Sequence, residues 1–199
     1  GVADGKDWER KAEKRKALIN KYCWDEKRGI YLDYDFKNKR HSKLAAATCF
    51  SPLYAGIASP QQAKRVVNNL KLLETDFGLV TTEFSEQKHV YQWDHISVWA
   101  PMQALAIIGL DKYGFKDDAK RISSKYLDLV SKNFFSPLPN SYMKDSLNVI
   151  RKPFKVYEKY TSDGKINDRE YIANTMWGWS AGVWGLAYKY VIDKKTSKK

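Results

Sequence analysis

Residues 99–113 read WAPMQALAIIGLDKY, and residues 116–132 read KDDAKRISSKYLDLVSK. The first stretch is apolar nearly all round, a pattern that suits a helix buried on several sides. The second alternates charge with apolar residues at helical spacing, so it reads as an amphipathic partner. Gly114 stands between them where a helix would end in a left-handed cap. An apolar helix followed by an amphipathic one is a pair that buries a shared face.

Working outward, the same pattern returns. Residues 6–22 predict a first helix, with Trp8, Ala12, Ala17, Leu18 and Tyr22 near helical spacing among charges. YCWDEKRGIYLDYDF (22–36) breaks it, and Gly29 predicts a turn between short extended pieces. A second helix is expected over 43–57, kinked at Pro52. Ser59-Pro60 predicts an N-cap and first helical position for a third helix, running to about Leu72. Residues 74–97 read as a long loop, and loops of that length in compact domains tend to be functional. Residues 134–155 carry three prolines and read as irregular, and a last helix runs from about Trp177 to Ile192. The expected fold is all-α: helix pairs with long functional loops, one domain over 1–199, and a flexible basic tail at 193–199. No βαβ alternation or dinucleotide fingerprint is present.

Composition narrows the function. Hydrophobic residues are 43% and charged residues 29%, the balance of a folded globular chain. No apolar run approaches the roughly 20 residues that span a bilayer, so no membrane partner is expected. The formal charge of +12, with KNKRHSK at 37–43, raises nucleic-acid binding, but no nucleic-acid motif accompanies it and solvated helix faces account for the lysines. Cys23 and Cys49 could pair, though nothing requires it. His41, His89 and His95 lack metal-ligand spacing, so no metal or other cofactor is expected. Seven Trp, thirteen Tyr and eight Phe stand out, because sugars present flat C–H faces to aromatic rings. Filling a core is the other use of such rings.

Three stretches carry chemistry. Gln92-Trp93-Asp94 puts an amide, an indole and a carboxylate side by side ahead of Trp99-Ala100-Pro101, where the apolar helix opens. Amide and carboxylate can grip sugar hydroxyls and the indoles can cover the ring. Val156-Tyr157-Glu158-Lys159-Tyr160 supplies a carboxylate that, on this segment alone, reads as an acid on a surface strand paired with Lys159 or a neighbour. Glu170-Tyr171 precedes Gly178-Trp179-Ser180-Ala181-Gly182-Val183. The latter also spells GxSxG, but a hydrolase of the nucleophile-elbow kind needs a His after its Ser, and the last His is His95.

Together these stretches resemble the trehalase family. Gln92 to Pro101 is similar to its QWDxPxxWAP signature, with Ile96 in place of the proline. Tyr157 to Tyr160 resembles its EKY segment, and Glu170-Tyr171 with Gly178 to Val183 resembles EY followed by GWTNGV, with Ser180-Ala181 where Thr-Asn is usual. YCWDEKRGIYLDYDF and FSPLYAGIASPQQAKRVVNNL (50–70) agree as well. The resemblance implies about half of an (α/α)6 toroid, hydrolysis of trehalose or a related α-glucoside with inversion, Glu158 as catalytic base, and Gln92, Trp93, Asp94, Trp99, Glu170 and Tyr171 as sugar-binding residues.

The family's PGGRF signature and its acidic partner for the base, which lie upstream, have no counterpart here. An inverting hydrolysis needs both carboxyl groups. The implied partner is therefore an N-terminal half or second chain completing the barrel. The alternative is a catalytically dead module serving as a structural subunit. A half-barrel would also expose an apolar wall along its open side.

Overall fold

The structure is a computed structural model that describes residues 5–86, 91–136, 153–167, 173–175 and 178–192. Helix α1 (Gly5–Tyr22) leads into two tight hairpins, β1 (Trp24–Asp25) with β2 (Ile30–Tyr31), and β3 (Tyr34–Asp35) with β4 (Arg40–His41). A 3-10 turn over Ala47–Phe50 runs into the short α2 (Ser51–Tyr54), followed by α3 (Pro60–Asn68). A hairpin of β5 (Glu74–Thr75) and β6 (Gly78–Leu79) follows, then β7 (Ser97–Trp99) and α4 (Ala100–Lys112). Helix α5 (Lys116–Phe135), strand β8 (Lys159–Thr161) and α6 (Trp179–Ile192) complete the described elements.

The apolar helix is the hub. Helix α4 packs against α2, α5 and α6 and buries Ala106, Ile107 and Leu110 completely. Its end follows from local sequence: Gly114 at φ +84° lets Phe115 N–H reach Leu110 O at 2.9 Å and Gly114 N–H reach Asp111 O at 2.9 Å, a Schellman cap. Helix α3 starts as expected, with a capping box between Ser59 and Gln62 and Pro60 in the first turn.

Two expectations change. The helix foreseen over 43–57 shrinks to α2, because Ala45, Ala46 and Ala47 use their backbones elsewhere. Ala45 O accepts from Glu83 N at 2.9 Å, Ala46 bridges Thr82, and Ala47 N donates to Thr81 O at 2.8 Å. Backbone groups engaged that way cannot form helical bonds. Pro52 therefore sits in the first turn of α2 rather than kinking a longer helix. The loop foreseen over 74–97 also contains the β5–β6 hairpin, with Glu74 opposite Leu79. Gln103 of α4 holds that hairpin: its amide donates to Leu79 O at 2.7 Å and accepts from Leu79 N at 2.9 Å. Cys23 and Cys49 are both free thiols.

Among the described residues, apolar side chains stay uncovered on α1 and along the α5–α6 groove, as well as singly elsewhere. Helix α1 buries no residue and exposes Trp8, Leu18 and Tyr22. A groove of about 300 Å³ between α5 and α6 is lined by Val130, Phe134, Phe135, Val156 and Trp184.

The packing around α4 and α5 sets stability in two testable ways. A Cβ on Gly109 would lie 2.9 Å from Leu53 Cβ and 3.0 Å from Tyr54 N, so α4 and α2 touch through that glycine. Gly109→Ala should cost about 1–3 kcal/mol, read as a lower Tm in a thermal melt; an unchanged Tm would mean that the two helices part freely. Glu74 accepts from Arg121 Nε at 2.8 Å and Lys125 Nζ at 2.7 Å. Burial opposes its charge, but these bonds outweigh burial and hold its carboxyl below the ordinary value. A folded value below the unfolded one stabilises the fold above the unfolded pKa of about 4.3, and that stability fades as pH falls through the folded value. Glu74→Gln should therefore be less stable than the parent in urea unfolding at pH 7, with the gap shrinking at pH 3.

Candidate active site

The Gln92-Trp93-Asp94 motif forms a tight turn ahead of β7. Asp94 organises it: its carboxylate accepts from Tyr91 N at 3.1 Å, Ile96 N at 3.3 Å and Ser97 Oγ at 3.4 Å. Ser97 N also returns to Asp94 O at 3.0 Å. A short acidic side chain folding back on its own loop is the Asx-turn habit of aspartate. The turn fronts a cleft of about 310 Å³ whose walls include Thr82, Ser85, Tyr91, Trp93, Asp94 and His95.

Strand β7 then carries the chain inward to Trp99, which is 1% exposed and caps α4 in extended conformation. Trp99 stands at the middle of an aromatic column. Trp93 stacks on it at 4.3 Å between centroids with planes 8° apart, and Trp179 of α6 meets it edge-on at 5.5 Å. The Trp99 indole N–H donates to Gln92 O at 3.0 Å, tying the column to the turn. Trp93 itself stays 40% exposed, a flat apolar face open to the cleft.

Strand β8 brings Glu158 to this column. It pairs antiparallel with β7, setting Ser97 opposite Thr161, Val98 opposite Tyr160 and Trp99 opposite Lys159. Glu158 is the residue just before Lys159, and its carbonyl accepts from Trp179 Nε1 at 3.3 Å and Ser180 Oγ at 3.2 Å. Its Oε2 oxygen is buried. Glu158 thus joins the column from the Trp99–Trp179 end and is not among the residues lining the cleft at Trp93.

A family model described as Trehalase matches residues 2–190. The chain belongs to the trehalase family. It is 34% identical over 200 residues to the cytosolic neutral trehalase of Kluyveromyces lactis, covering 96% of this chain and 26% of that protein. It is 36% identical over 199 residues to a probable trehalase of Saccharomyces cerevisiae, covering 96% of this chain and 25% of that protein. Among solved structures, the neutral trehalase Nth1 from Saccharomyces cerevisiae superposes with a TM-score of 0.71 at 30% identity, over 96% of this chain and 32% of that one. A GH63 mannosylglycerate hydrolase from Thermus thermophilus has a TM-score of 0.69 at 17% identity, over 94% of this chain and 41% of that one, and shares the fold. The chain therefore spans about a quarter of the length of the curated relatives it matches, and its helix pairs are a partial (α/α)6 toroid.

Within the trehalase signature, Gln92, Trp93, Asp94 and Trp99 come together as one unit, and Ile96 stands in the turn where the family has proline. Glu170 and Tyr171 lie outside the described residues. Ser180 of the GxSxG run is buried near the start of α6, with its hydroxyl given to Glu158 O. Sequence reading missed Trp179 as a site residue, although it lay in the GWSAGV match. It also missed Asn167, whose amide donates to Ser97 Oγ at 3.0 Å. The GWSAGV match could have marked Trp179; nothing local marks Asn167, which only the fold sets beside a turn seventy positions away.

The turn makes its own prediction. Asp94→Ala removes the acceptor for two backbone amides and one hydroxyl, and bonds to a charged group contribute about 1.5–3 kcal/mol each to stability at most. Backbone hydrogen exchange at Tyr91 and Ile96 should accelerate in that variant while α4 amides keep their protection.

Proposed function

We propose that the chain is the base-bearing part of a trehalase, hydrolysing trehalose to glucose with inversion once the remainder of the toroid completes the site. Glu158 is the general base. It takes a proton from water while the water oxygen forms a bond to the anomeric carbon and the glycosidic C–O bond breaks. The departing glucose oxygen takes its proton from an acid supplied by the remainder of the toroid, so charge and protons balance. Trp93 offers its exposed face to a sugar ring, and Gln92 presents an amide beside it. Asp94 and Trp99 set that surface, Asp94 through the turn and Trp99 through the stack. Glu170 and Tyr171, by the family motif they match, bind sugar near the base.

The observation that carries this reading is the aromatic column, which links an exposed indole to the Glu158 carbonyl within a trehalase match of residues 2–190. The remainder of the toroid is a proposal too, supported by relatives about four times as long as the chain.

The test is glucose release from trehalose, measured for the chain alone and for the chain with an upstream half of the family. Release only in the second case is expected. In that mixture Glu158→Gln should lower kcat by about two to four orders of magnitude with little change in fold. Full activity in Glu158→Gln would remove Glu158 from the base role, and no release in either mixture would leave the chain a non-catalytic module.

A further inference from the structure

Two charged side chains are buried among the described residues, Asp94, whose carboxylate binds its own turn, and Lys159, which lies at the stacked indoles. Lys159 is 1% exposed, with its Nζ 5.8 Å from the centroid of the Trp99 ring. The pairing explains the meeting. Lys159 is the cross-strand partner of Trp99, and directly opposed residues of an antiparallel pair send their side chains to the same face. The strand is held in that register by Asn167, which donates its N–H to Lys159 O at 3.1 Å and its side-chain amide to Ser97 Oγ at 3.0 Å.

An ammonium taken out of water is expensive, and an unbranched apolar side chain would fill the same space at less cost. A cation over an indole face recovers part of that loss, more so where water is excluded. It also does something a methyl-tipped chain cannot: it fixes one ring orientation through the direction of the ring quadrupole. We propose that Lys159 is a positioning residue for the sugar platform. Its ammonium holds Trp99 in place, and Trp93, stacked on Trp99, is thereby held with its outer face toward the cleft. This rests on the reading of Trp93 as a sugar-binding surface, but not on Glu158 being the base.

The experiment is a trehalose titration of the 199-residue chain followed by intrinsic tryptophan fluorescence. It compares the parent with Lys159→Met, Lys159→Arg, Trp93→Ala and the double variant Trp93→Ala/Lys159→Met. Lys159→Met should weaken trehalose about five- to tenfold, and Lys159→Arg, which keeps a cation for the indole, should stay within about twofold of the parent. In the Trp93→Ala background Lys159→Met should cause no further loss, because the platform it positions is gone. Parent affinity in Lys159→Met, or an equal loss with and without Trp93, overturns the proposal. So does a failure of Lys159→Arg to restore binding. If Lys159→Met melts below the assay temperature, Lys159→Gln takes its place and must show the same loss. No trehalose response in the parent overturns the platform and this role together. If instead Glu158→Gln keeps full turnover while the affinities follow the expected pattern, only the base assignment falls.

Discussion

Three residue pairs join segments of the chain about sixty positions apart, and the site depends on them. Ser97, Val98 and Trp99 face Thr161, Tyr160 and Lys159 across the β7–β8 ladder. A two-stranded ladder this short has little stability of its own. It persists because Val98, Trp99 and Tyr160 are almost wholly buried, and because Asn167 binds both strands through its side-chain amide and backbone N–H. Trp99 then serves three elements at once: it closes the strand, caps α4 and forms the middle of the aromatic column. Without that ladder Glu158 would keep its bonds to Trp179 and Ser180 but lose the strand pairing that joins it to Trp99.

Loops lie close to the helices here because buried amide side chains satisfy their backbones. Gln103 answers both polar groups of Leu79 from within α4. Asn133, buried on α5, donates to Leu129 O at 3.0 Å and to Gly164 O at 2.9 Å, reaching the turn after β8. An irregular segment without such partners would leave unpaired groups away from water. The helices thus contribute more than apolar faces. They hold the site-bearing loops by hydrogen bonds directed from otherwise apolar surfaces.

Polar groups around the column follow the same logic. Tyr160 is buried, and its hydroxyl accepts from Tyr157 N at 3.0 Å; burial pushes that hydroxyl far above the ordinary tyrosine value, so it stays neutral. Tyr126, fully buried on α5, is raised for the same reason. Next to these neutral groups lies the buried Lys159 side chain, its Nζ 5.8 Å from the Trp99 ring centroid.

The sequence by itself determined the helix pairs, the Schellman cap at Gly114, the capping box at Ser59 and the trehalase signature. Each is a local matter: caps act within a turn, amphipathic faces repeat every few residues, and signature residues are adjacent in the chain. The tertiary structure decided the rest. It shortened the expected 43–57 helix, because pairing with residues 81–83 took the backbone groups a helix needs. It made Asp94 the organiser of its own turn at the wall of the cleft, and it set Lys159 and Trp179 around Trp99. These outcomes depend on contacts between residues far apart in sequence, whose energies come from burial and geometry that no local periodicity records.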